Sequence, residues 1–234
     1  MASKSENTFG SRIKNAEDVV TIVSTFVNFK PLNIEDNLTD VSKLITEVKS
    51  SNQEEASSLQ QYSVSTTTRT NLVLKDTDSL KKLMSPIRAY LLAVYGKTDK
   101  QYLNINSILN QIIGSKSVKE RKNADEKSIS IYQQSYASLI QSFSDLIATL
   151  STLSPAYKPT NEAITLEMLK TKHTLIEQTN NAITANFNTL KTARERRNTL
   201  YADLKTRIQR IKQTVLSQYS NRSVEYKKIK GFKI

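Results

Sequence analysis

Gly96, Lys97 and Thr98 are the residue types that end a phosphate-binding loop, where backbone N–H groups cradle phosphates and a lysine reaches them. That loop needs another glycine five residues before its Gly-Lys, and Leu91 stands there instead. The stretch leading to Gly96 has helical rather than strand patterning, so Gly96 reads as the residue of positive φ that closes a helix. His173 is the only histidine. Lys170 stands three residues before it and Glu177 is the one nearby donor, whereas a metal site needs several converging ligands. Ser79 and Lys82 match Ser-x-x-Lys, but no companion lysine motif or α/β setting accompanies them, and Asp78 or Ser79 serves more simply as a helix cap. Glu54 and Glu55 are adjacent. On a helix they point about 100° apart and cannot face one substrate together, so a solvated face is expected for them. No cysteine is present, which excludes disulfides, thiolate ligands and cysteine nucleophiles. Asn37 and Asn221 begin glycosylation sequons of the kind a chain rich in Asn, Ser and Thr produces by chance. The sequence therefore points to no enzyme, no cofactor, no metal site and no small-molecule substrate.

Charge gives the one positive signal. The formal net charge is +12. Residues 1–117 carry 14 basic against 12 acidic groups, and 118–190 carry 7 against 7. Residues 191–234 carry 13 against 3, a surplus of ten. On a helix, Lys191, Arg194, Arg197, Arg207 and Arg210 recur at spacings that share faces, making a cationic ridge beside the apolar stripe Leu204, Ile208, Ile211 and Val215. These five residues are the candidate partner- or polyanion-binding site.

The elements that position the ridge follow from an internal repeat. A shift of 128 pairs "FKPLN" at 29–33 with "YKPTN" at 157–161, and pairs Leu38 with Leu166, Val41 with Leu169, Val48 with Ile176 and Leu59 with Phe187. Downstream the shift becomes 124 and pairs Leu92 with Leu216, Tyr95 with Tyr219, Tyr102 with Tyr226 and Ile105 with Ile229. A four-residue deletion in the second copy, opposite "KDTDS", accounts for the change. Each copy reads as three helices: 12–27, 34–73 and 79–95 in the first, and 126–153, 161–200 and 202–219 in the second. Prolines at 31, 155 and 159 end the first helix of each copy. Tyr95, Tyr102 and Ile105, with their counterparts, are expected to fold a short tail back onto the helices.

The expected fold is all-α: an elongated helical bundle from tandem duplication of a three-helix unit with long second helices. Its divisions are a flexible N-terminus at 1–10, repeat units at 11–114 and 126–234, and a linker at 115–125. Only 4 Gly and 4 Pro occur, too few for the tight turns of sandwiches and barrels. The N-terminus lacks an apolar signal core, and the most apolar early run, 19–27, falls short of the roughly 20 residues of a spanning helix. A cytoplasmic structural or scaffold protein is expected, its partner another protein or a second copy. Nucleic acid stands next, and membrane activity through "VVTIVSTFV" last.

Overall fold

A computed structural model describes residues 8–114, 135–154 and 156–234. The expected linker at 115–125, the start of the helix expected at 126–153, Pro155 and most of the N-terminal segment lie outside these residues. The described residues are all-helical, without a strand. The helices are α1 (Phe9–Ser24), α2 (Leu38–Thr70), α3 (Leu80–Tyr95), α4 (Lys100–Ile113), α5 (Tyr136–Ser151), α6 (Leu166–Tyr219) and α7 (Val224–Ile229). Short 3₁₀ turns at Ile34–Asp36 and Glu162–Ile164 precede α2 and α6, and α2 runs into a π-helical turn at Asn71–Lys75.

Local chemistry sets several boundaries. Thr8, Asp99, Ser135 and Ser223 cap α1, α4, α5 and α7, each side chain accepting from a backbone N–H of the first turn. Gly96 ends α3 with a φ of 79°, where a side chain is strained, and Ser220 follows α6 with a φ of 75°.

The chain forms two compact units. Unit 1 comprises 1–61 and 187–234, and unit 2 comprises 62–186. The core of unit 1 takes Ala16, Val19 and Val23 from α1, Val41, Ile45 and Val48 from α2, and the whole stripe Leu204, Ile208, Ile211 and Val215 from α6. Ile229 of α7 is fully buried among them. In unit 2, α3 packs on α4 and α4 on α5. Met84, Ile87 and Leu91 of α3 there meet Ile105, Leu109 and Ile112 of α4 and Phe143, Leu146 and Leu150 of α5, joined by Leu169 and Ile176 of α6. Each such side chain contributes about 1.5–3 kcal/mol by leaving water.

Three expectations differ from this arrangement. The helices expected at 161–200 and 202–219 are one uninterrupted helix, α6, because nothing between Leu200 and Ala202 breaks the backbone ladder. The residues around Tyr102 and Ile105 are no short tail: α4 is a 14-residue helix with its own buried stripe. The compact units also cut across the stretches 11–114 and 126–234, since α2 and α6 each give one end to unit 1 and the other to unit 2.

Candidate functional site

The site is built on the unit 1 portion of α6, where Leu204, Ile208, Ile211 and Val215 are buried with Thr214 and the other side chains of 204–215 are exposed or partly so. The predicted ridge residues all lie on this helix, and most face carboxylates of unit 1. Arg194 Nε and Arg197 Nη1 bind the two oxygens of Glu55 at 3.0 and 2.8 Å. Arg196, between them, binds Glu54 at 2.7 Å. Glu54 and Glu55 are therefore not a plain solvated face; they are the α2 side of an ion-pair ladder. Arg207 Nε reaches both oxygens of Asp203, one turn earlier, at 3.1 Å, and its Nη1 donates to the Glu35 carbonyl at 2.7 Å. Arg210 is bidentate on Asp36 and also touches Glu35. Both guanidinium pKa values are raised, each first by its carboxylate hydrogen bonds. Lys191 alone has only a long 4.0 Å contact, to exposed Glu195.

Arg197 does further structural duty. Its guanidinium lies 4.3 Å from the centre of the Phe9 ring, and Phe9 packs on Tyr201 at 4.7 Å. Tyr201 donates its hydroxyl to the Phe9 carbonyl at 3.0 Å and accepts from Asn52 at 2.8 Å, while burial pushes its pKa up. Ring, guanidinium and amide thus pin the start of α1 to α6.

Beside this pinned corner the structure opens a groove that the sequence did not reveal. One part, of about 380 Å³, lies between Arg12 of α1, Lys205 and Lys212 of α6, and Phe232 and Lys233 after α7. An adjoining part of about 270 Å³ shares Arg12, Lys205 and Ile234 and reaches Phe9, Asn198 and Tyr201. Four cations from three chain segments border the groove, and no carboxylate side chain lines it among the described residues. The segment after α7 is held as its wall: Asn15 Nδ2 donates to the Lys233 carbonyl at 2.8 Å, and Lys212 Nζ donates to the Phe232 carbonyl. Burial holds Lys212 below the ordinary lysine pKa. Arg12 and Lys205 are nearly two hundred residues apart in sequence, so no local periodicity announces the groove.

The other residues weighed for chemistry are placed simply. His173 is partly buried in unit 2, its ring 5.8 Å from that of Phe143, and no cluster of three potential metal-binding His, Cys, Asp or Glu side chains exists among the described residues. Ser79 precedes α3 with its hydroxyl buried and unbonded. In "VVTIVSTFV", Val19 and Val23 are fully buried core residues. No helix among the described residues is long and apolar enough to cross a membrane. No protein family, curated protein or solved structure matches this chain.

Proposed function

We propose that this chain is a non-enzymatic assembly protein that attaches to an anionic partner through the basic end of unit 1. One observation carries the reading. Of the 13 cations in residues 191–234, the six at 191, 194, 196, 197, 207 and 210 contact carboxylates, and the seven that remain (13 − 6 = 7) have no such partner among the described residues. Those seven are Lys205, Lys212, Arg222, Lys227, Lys228, Lys230 and Lys233. The positive surplus available to a partner is thus carried by the groove and the segment after α6 rather than by the ridge.

The frame that presents it is, in this reading, a tandem duplication. The 3₁₀ turns begin at Ile34 and Glu162 and the long helices at Leu38 and Leu166, both 128 apart (162 − 34, 166 − 38). The helix ends at Tyr95 and Tyr219, the positive-φ residues Gly96 and Ser220, and the helix starts at Lys100 and Val224 are each 124 apart. The burial of Val41 with Leu169 and of Val48 with Ile176 supports the same register, and so does the shared exposure of Leu59 and Phe187. Each unit then takes the first helix and the start of the second from one repeat, and the rest from the other.

Sedimentation of the full chain with polyglutamate tests the attachment. A complex is expected at about 50 mM salt that is lost near 200 mM, and lost at both in a Lys227→Glu/Lys228→Glu/Lys230→Glu variant, because contact between exposed charges is screened beyond a Debye length of about 10 Å. A chain that binds no polyanion at either salt concentration is not this kind of protein. A second reading, nucleic-acid binding, draws on the aromatic rings of Phe9, Tyr201 and Phe232 among the groove cations. An oligonucleotide affinity falling linearly with log salt would favour it.

A further inference from the structure

We infer that the groove of unit 1 is a docking site for an acidic peptide segment that also bears apolar side chains, seated along α6 between Asn198 and Lys212. The inference rests on the anionic-partner reading above and names the partner's chemistry.

Charge comes from the border of the groove: Arg12, Lys205, Lys212 and Lys233 meet there, and no carboxylate side chain lines it among the described residues. Lys205 and Lys233 are exposed, whereas Lys212 is partly buried. Within that border the surface is mixed, and it is most apolar in the part that reaches Phe9 and Tyr201. Phe232 and Ile234 line it as partly buried side chains packed on the core that encloses Ile208. A ligand that only neutralised the cations would leave these apolar side chains wet, and a purely apolar one would desolvate charges that no carboxylate side chain of the groove offsets. A chain presenting both carboxylates and apolar side chains satisfies both.

Spacing separates a peptide from a small anion. Lys205 and Lys212 stand seven residues apart on α6, about 10 Å along the axis. One phosphate does not span that interval, but carboxylates two turns apart on a bound helix do. The whole groove edge, from Asn198 to Lys212, is on the order of 21 Å long, about four helical turns. The state of Phe9 separates a peptide from single-stranded nucleic acid. Base stacking needs an open aromatic face, and the Phe9 ring already carries Arg197 at 4.3 Å and Arg12 at 5.8 Å while packing on Tyr201. Asn198 and Gln209 add amides that can donate to a peptide carbonyl or carboxylate.

The test is fluorescence anisotropy of the full chain with a fluorescein-labelled peptide of about four helical turns, carrying Glu two turns apart and Leu between them. Leu→Ser and Glu→Gln versions and a single-stranded oligonucleotide of equal charge serve as comparisons. The parent peptide should bind, and either replacement should weaken binding by about tenfold or more. Lys205→Glu with Lys233→Glu should weaken it by a similar factor with unchanged far-ultraviolet circular dichroism, while Lys43→Glu, on α2, should leave it unaltered. Equal binding of the Leu→Ser peptide, or indifference to Lys205→Glu, overturns the inference. Oligonucleotide binding without peptide binding overturns it too, yet leaves the anionic-partner reading standing. Binding of none of these probes overturns both.

Discussion

Arg210 grips Asp36 from 174 residues away in sequence, its Nε and Nη2 lying 2.7–3.0 Å from the two carboxylate oxygens. The pair is unequal: Asp36 is 1% exposed, while the Arg210 side chain retains 34% of its exposure. Removing the arginine strands a buried carboxylate, whereas removing the carboxylate leaves a guanidinium that still reaches solvent and Glu35. Arg210→Met should therefore cost about 3 kcal/mol and Asp36→Asn about 1 kcal/mol in urea unfolding. Equal costs would show that the burial asymmetry does not govern this contact.

The ion-pair ladder makes a second expectation. Changing Arg194, Arg197, Arg207 and Arg210 together to glutamate sets new negative charge against Glu55, Asp203 and Asp36, and it also removes the cation from the Phe9 ring. The expected loss is about 5 kcal/mol or more, enough to unfold unit 1. Circular dichroism melts should separate this variant sharply from Lys205→Glu/Lys233→Glu, whose side chains are exposed and whose melting should match the parent within a few degrees. A ridge variant that melts normally would show the ladder to be dispensable.

Tyr219 closes α6 with its hydroxyl donating to the Val27 carbonyl at 2.6 Å and its ring 5.7 Å from that of Phe26. The ring is only partly buried, so Tyr219→Ala should cost about 2 kcal/mol rather than the value for a fully enclosed aromatic. Tyr219→Phe should cost about 1 kcal/mol, the share of the hydrogen bond. Equal losses in the two variants would assign the effect to the hydroxyl alone.

Lys212 gives a pH dependence. Burial lowers its pKa from the ordinary 10.5, so between the folded value and 10.5 the unfolded chain binds more protons than the folded one. The contribution of this residue is full above 10.5 and is lost as pH falls through the folded pKa. The stability of the parent relative to Lys212→Met should accordingly rise from neutral pH toward 10.5. A flat or falling difference across that window would contradict the burial of the ammonium.

The helical class was legible because turn-forming residues are scarce and stripes such as Leu204 to Val215 repeat at 4, 3 and 4. The ends at Tyr95 and Tyr219 were legible as well, one of them at a glycine suited to positive φ. Helix α4 was less legible, because its stripe of Ile105, Leu109 and Ile112 spans only two turns, too few to separate a helix from a folded-back tail. The site was harder for a physical reason. A row of arginines looks the same in sequence whether it faces water or carboxylates, and the deciding partners of Arg194 and Arg210 lie 139 and 174 residues away. The groove needs Arg12, Lys205 and Lys233 together, and only tertiary packing brings them there.

The division of the chain also sets an order of events on the ribosome. Unit 2 is one continuous stretch, 62–186, and can close as soon as that stretch has emerged. Unit 1 holds residues from both ends of the chain, so α1 and the start of α2 must wait for 187–234. At about 5–20 residues per second, that wait after unit 2 is complete lasts several seconds, with Val19, Val23, Val41 and Val48 lacking their α6 partners. Through that interval the nascent chain exposes an apolar surface that the finished unit 1 buries.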